Sequence, residues 1–124
     1  MDWHAWIGLP HEFGADPRRG KAADCLVMAW AILDDAGIPH PDFQYEWLEL
    51  ARVAEWDILG LLWDQATEPL DGPEPYAVCL FENGAAGLGV GIVVDDGVLI
   101  VHHKRGVRWV PLKAMQNLDY CRFR

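Results

Sequence analysis

Asp24-Cys25-Leu26-Val27-Met28-Ala29-Trp30-Ala31-Ile32-Leu33-Asp34-Asp35-Ala36-Gly37 is the stretch from which the rest of this chain can be placed. Leu26, Val27, Trp30, Ile32, Leu33 and Ala36 leave few polar positions, so the run predicts a central, mostly buried helix over about 23–36. Asp24 or a neighbour is expected to cap its first turn, and Gly37 followed by Pro39 stops it. Asp34-Asp35 opposes the helix dipole at the far end and is expected to be exposed. Cys25 falls in the first turn, where unpaired N–H groups and the positive end of the dipole favour thiolate over thiol. That position points to cysteine-nucleophile chemistry and predicts a Cys25 pKa below the ~8.5 of a free thiol.

Outward from this helix the chain divides into a helical half and a β half. A loop over 8–20 precedes it, with Gly8, Gly14 and Gly20 as turn residues. A second helical stretch is predicted over about 42–65, with Phe43, Trp47, Leu50, Ala54, Ile58 and Leu61 at three- and four-residue steps; Gly60 and the crowding of tryptophans suggest a break inside it. The Pro-rich connector Glu68 to Pro75 marks the change of regime. Strands follow at Tyr76–Phe81, Leu88–Val94, Val98–His103, Val107–Val110 and about Leu118–Phe123. Glu82-Asn83-Gly84, Asp95-Asp96-Gly97 and Lys104-Arg105-Gly106 read as their turns, Asp95-Asp96 as a hairpin and not a metal site. The fold class is α+β, one domain over 1–124, with N-terminal helices packed on a small antiparallel sheet.

Composition narrows the function classes. A hydrophobic content of 52% with 23% charged residues is that of a globular chain. The formal net charge of −9 argues against nucleic acid or an anionic membrane surface as partner. No apolar run is long enough for a membrane span, and Met1-Asp2-Trp3-His4 lacks the layout of a signal peptide. Three widely spaced cysteines, Cys25, Cys79 and Cys121, form neither a disulfide framework nor a zinc site, and no cofactor is implied. Cys79 and Cys121 read as inert buried thiols. The seven tryptophans read as core fillers, with any exposed one marking a docking surface.

Three segments in this order resemble the papain-like cell-wall cysteine peptidases of the NlpC type. Gly8-Leu9-Pro10-His11-Glu12-Phe13-Gly14, with Asp24-Cys25 ten residues on, is similar to that family's glycine-proline-aromatic loop and nucleophile. Val90-Gly91-Ile92-Val93-Val94-Asp95-Asp96-Gly97 is similar to its His-Val-Gly-Ile strand and hairpin. His102 or His103, then Gly106 to Leu112 and the closing Tyr120 to Arg124, most resemble its phage-tail branch. The resemblance implies a papain-like NlpC-type fold and hydrolysis of amide bonds in peptidoglycan peptide stems, by thiolate attack with histidine as proton shuttle.

Under that resemblance Cys25 matches the nucleophile and His102 the residue that orients the base. Gly89 occupies the position of the catalytic histidine, and glycine can accept no proton. His102, His103 and His11 are the candidate replacements. His102 and His103 adjoin in a strand, which would send their rings to opposite faces. His11 stands where the family places a tyrosine, and His4 and His40 read as surface residues beside turns. Loss of a general base costs about 10²–10⁴-fold. Two function classes follow. One is a virion structural or docking component of a phage tail or baseplate whose hydrolysis is impaired or lost. The other is an active peptidase with a displaced histidine. Partners are tail or baseplate proteins and peptide stems, in the virion or in the host cytoplasm during assembly. Small size without a wall-binding module favours a component placed by an assembly.

Overall fold

The computed structural model describes residues 2–41, 49, 56–84, 87–115 and 117–124. The first helix, α1, runs Cys25–Ala36. Asp24 caps it from an extended backbone: Oδ1 accepts from the N–H groups of Leu26 at 2.9 Å and Val27 at 3.3 Å. At the other end Gly37 takes a left-handed conformation, φ 71°, and Ile38 donates back to the Leu33 carbonyl at 2.9 Å. This six-to-one closure satisfies carbonyls the helix leaves open. Asp34 and Asp35 are exposed, as the dipole argument requires.

Helix α2 spans Trp56–Ala66 and is continuous through Gly60. The part of the second helical stretch over 42–55 lies outside the described residues apart from position 49. On α2 the buried face is Leu59 and Trp63 with Leu62 and Ala66 beside them, while Ile58 and Leu61 are exposed. Three- and four-residue spacing fits both faces here, and packing on the sheet selects the one centred on Trp63.

Among the described residues six antiparallel strands form one sheet: β1 Thr67–Pro69, β2 Val78–Glu82, β3 Leu88–Val94, β4 Gly97–His102, β5 Gly106–Pro111 and β6 Tyr120–Phe123. Their order across the sheet is β1-β6-β2-β3-β4-β5. The short β1 was hidden in the Pro-rich connector. Pro69 is tolerated because β1 is an edge strand paired with β6 alone. Strand β2 starts two residues later than expected, because Tyr76 lies at φ 66°, outside extended conformation. Strand β3 has the predicted bounds, and Asp95 and Asp96, both at positive φ, close the two-residue hairpin to β4.

The sheet is buried on two faces, which explains the nearly unbroken apolar run of β3. On one, Met28, Trp30 and Leu33 of α1 pack against Val90, Ile92, Leu99 and Val101. On the other, Cys79, Val93, Val98, Ile100 and Tyr120 lie beneath Leu112, Met115 and Leu118. Trp6, Trp30 and Trp63 are core residues, whereas Trp3 and Trp109 reach the surface. Among the described residues no helix is long and apolar enough to cross a membrane.

The buried Asp24 carboxylate also accepts from the Gly14 N–H at 3.2 Å, joining the loop to the helix start. Asp24→Ala is therefore expected to cost about 1–3 kcal/mol, combining a lost cap with donors left unpaired. Urea unfolding followed by tryptophan fluorescence measures it; a loss under about 0.5 kcal/mol would contradict the assignment of Asp24 as the cap.

Candidate functional site at the start of helix 1

The loop over 8–23 and strand β3 close on Cys25 from two sides. Glu12 donates to the Ala23 carbonyl at 3.1 Å and Ala23 to the Pro10 carbonyl at 2.9 Å, so His11 bridges Ala23 in parallel fashion. Asp24 donates to the Ala15 carbonyl at 2.8 Å. Leu9 is tied in turn to β5, accepting from Val107 at 2.9 Å, and only a glycine fits at 106, whose added Cβ would meet the Leu9 carbonyl. This path fixes where α1 begins and hence where the thiol stands.

On the β side, the β3–β4 ladder runs from Val94↔Gly97 to Ile92↔Leu99 and goes no further. Beyond it, backbone groups on each strand need other partners. The Val90 N–H donates to Cys25 Sγ at 3.3 Å. The Val101 carbonyl accepts from Asn83 Nδ2 at 2.9 Å, and Asn83 Oδ1 accepts from the His103 N–H at 3.1 Å. Side chains thus replace strand pairing: sulfur for β3, a buried carboxamide for β4. Asn83 read as a simple turn residue in the sequence, and nothing local there signals a backbone clamp.

Cys25 keeps some exposed surface but packs against the core, and burial pushes its thiol up to about 12. The neighbouring Asp24 charge adds to the rise, and the Val90 N–H opposes it without prevailing. The expected depression of this pKa is thereby reversed. Position at the helix start is as predicted, but the dipole and N–H groups stabilise a thiolate by less than desolvation costs it. Asp24 is itself raised, first by burial, with its three backbone donors and the charge of His11 pulling the other way.

The histidines are distributed as follows. His11 sits edge-on to Phe13, ring centres 5.1 Å apart, and its charge reaches Asp24. His102 ends β4, and its Nδ1 accepts from the N–H groups of Lys104 and Arg105, each at 3.1 Å. Its lone pair is engaged by the turn. Burial and the positive charges of His103, Arg105, Arg108 and Lys104 lower its pKa, and with Nδ1 accepting, the ring hydrogen is carried on Nε2. His103 lies in the turn, not the strand, so alternation does not govern it. The two rings stack at 4.6 Å instead of facing apart. His40, expected at the surface, is half-buried against Trp30, with Nε2 on Asp34 and Nδ1 on the Pro41 carbonyl, both at 2.6 Å. Among the described residues, none of His11, His102 or His103 hydrogen-bonds the Cys25 sulfur.

Gly89 opens onto the sheet face away from α1. A Cβ there would come within 2.5 Å of the Phe81 ring, its cross-strand partner. Phe81 belongs to the second hydrophobic cluster, whereas Cys25 packs on the first. Phe81 was read only as a strand residue.

Cys79 is pushed up to about 12 as well, again by burial. A thiol whose pKa is higher folded than unfolded stabilises the fold fully below about pH 9, and that contribution is lost as pH rises toward about 12. Unfolding free energy should therefore fall above pH ~9, by up to ~1.4 kcal/mol per pH unit for each thiol. The slope of Cys25→Ala should be shallower than wild type in urea titrations at stepped pH; identical slopes would contradict the raised Cys25 pKa. No family model, no curated protein and no solved structure matches this chain.

Proposed function

We propose that this chain is a phage tail- or baseplate-associated component built on the NlpC-type peptidase fold, with hydrolysis of peptidoglycan peptide stems impaired or lost and Cys25 retained as a structural thiol. The observation that carries the reading is that Cys25 Sγ accepts from the Val90 N–H and, among the described residues, bonds none of His11, His102 or His103. Position 89, where the resemblance puts the proton acceptor, faces the other side of the sheet, and the space of its side chain is filled by Phe81. The state of the thiol supports the same conclusion. With a pKa near 12, the thiolate fraction at pH 7 is on the order of 10⁻⁵, against a few per cent for a free thiol. A base would have to supply the difference, and the lone pair of His102 is already engaged by backbone N–H groups.

One observation favours the alternative, an active peptidase with a displaced base. The bridge between His11 and Ala23 ties that histidine to the segment entering α1, two residues before Cys25. If His11 turned toward the sulfur it could take the thiol proton directly.

Purified muropeptides incubated with the protein and analysed by mass spectrometry separate the two. The proposal expects no cleavage by wild type, and none by Gly89→His, whose imidazole would meet Phe81. Cleavage by wild type that is abolished by Cys25→Ala, and reduced about 10²–10⁴-fold by His11→Ala, would establish the active enzyme and overturn the proposal.

A further inference from the structure

At the opposite end of α1 from Cys25 the surface carries a groove lined by aromatic and acidic side chains. Asp35 is ten residues along the helix from Cys25, about 15 Å at 1.5 Å per residue. The groove has two bays that share Trp3 and Asp95. The first, about 400 Å³, lies between Trp3, Pro75 and Tyr76 and includes Asp35, Asp95 and Asp96, with no basic side chain on its lining among the described residues. The second, about 510 Å³, continues past Ile7 to Trp109, with Arg108 and His4 at its edge.

These walls are fixed in place. Trp109 donates its indole N–H to the Val94 carbonyl at 2.9 Å and lies over Gly97, where any side chain would collide with it. Trp3 stacks on His4 at 3.8 Å, and His4 is held by Asp2 at 2.7 Å. Ile7, Tyr76 and Trp109 are 44%, 40% and 36% exposed, large apolar surfaces gathered around one groove. The carboxylates of Asp95 and Asp96 have no hydrogen-bond or ion-pair partner among the described residues. The first bay also faces the negative end of the α1 dipole.

We propose that this groove docks a basic segment of a partner polypeptide, with a lysine or arginine side chain in the first bay between Trp3 and Tyr76 and an adjoining apolar side chain along Ile7 and Trp109. Charge complementarity selects the occupant. Aromatic faces attract a cation through their quadrupole, and unneutralised carboxylates at the hairpin apex supply its counter-charge. Arg108 at the far edge disfavours a second cation there and so fixes the direction of the segment. The proposal is independent of whether Cys25 retains chemistry.

The test is a titration of the ¹⁵N-labelled full chain with capped leucine–lysine–leucine tripeptide, following the indole N–H signals of Trp3 and Trp109. The matching leucine–glutamate–leucine peptide and free lysine serve as controls. The lysine peptide is expected to shift those signals, to bind at least tenfold more tightly than either control, and to weaken as salt rises from about 0.05 M to about 0.5 M. Asp95→Asn/Asp96→Asn, chosen because asparagine tolerates positive φ, should weaken it at least tenfold. Equal binding of the glutamate peptide, equal binding of free lysine, or no shift in wild type overturns the proposal. An unchanged affinity in the double variant does so too. Should that variant lose its dispersed spectrum, the salt series on wild type decides, and salt-independent binding is the contradicting result.

Discussion

Three backbone N–H groups converge on the carboxylate of Asp24, those of Leu26 and Val27 inside α1 and of Gly14 in the loop before it. That carboxylate is almost wholly buried, so each bond is made where water offers no substitute. The cap sets the first residue of α1, and the Gly14 bond sets how the loop approaches it. Through Ala23, Pro10 and Leu9 the same loop is stitched to β5. A helix whose buried side is almost continuous must enter the sheet at one fixed height, and Asp24 is the group that determines it.

The thiol is a consequence of that placement. Strands β3 and β4 separate after three paired positions, and the exposed ladder groups are met by whatever the surrounding elements present. Cys25, set by the cap beside Val90, becomes the acceptor for one; Asn83 becomes donor for the other. A sulfur in that setting is polar enough to accept an N–H and apolar enough to pack in the core. The helix dipole stabilises negative charge there, yet the cost of removing a thiolate from water is larger, and Asp24 next door repels it. The position is the first turn of α1, as the sequence places it, and burial there favours the thiol over the thiolate.

Much of the fold was legible because its signals are local. The cap at Asp24, the glycine stop at Gly37 and the Asp95-Asp96 hairpin each depend on a few neighbouring residues, and each stands where the sequence puts it. The α+β architecture, with helix α1 against an antiparallel sheet, follows from the same periods. What was not legible depends on distant partners. Strand β1 exists because the C-terminal β6 returns to pair with it, and Pro69 masked it. The face of α2 is chosen by the sheet, not by its own spacing. The sequence could show that position 89 lacks a histidine. Only the register of β2 on β3 shows that Phe81 occupies the space. The stacking of His102 on His103 was missed because the strand ends one residue earlier than its composition suggests.

The claim at the centre of this account is that burial outweighs the helix terminus at Cys25. Its most direct test is the rate of iodoacetamide alkylation of Cys25 as a function of pH, resolved by peptide mass spectrometry in the folded wild-type chain. The account predicts a rate below that of a free thiol throughout, still rising without a plateau at pH about 10. A rate that levels off below pH ~8.5 would mean that the thiolate is the stable form at the start of α1, and would contradict it.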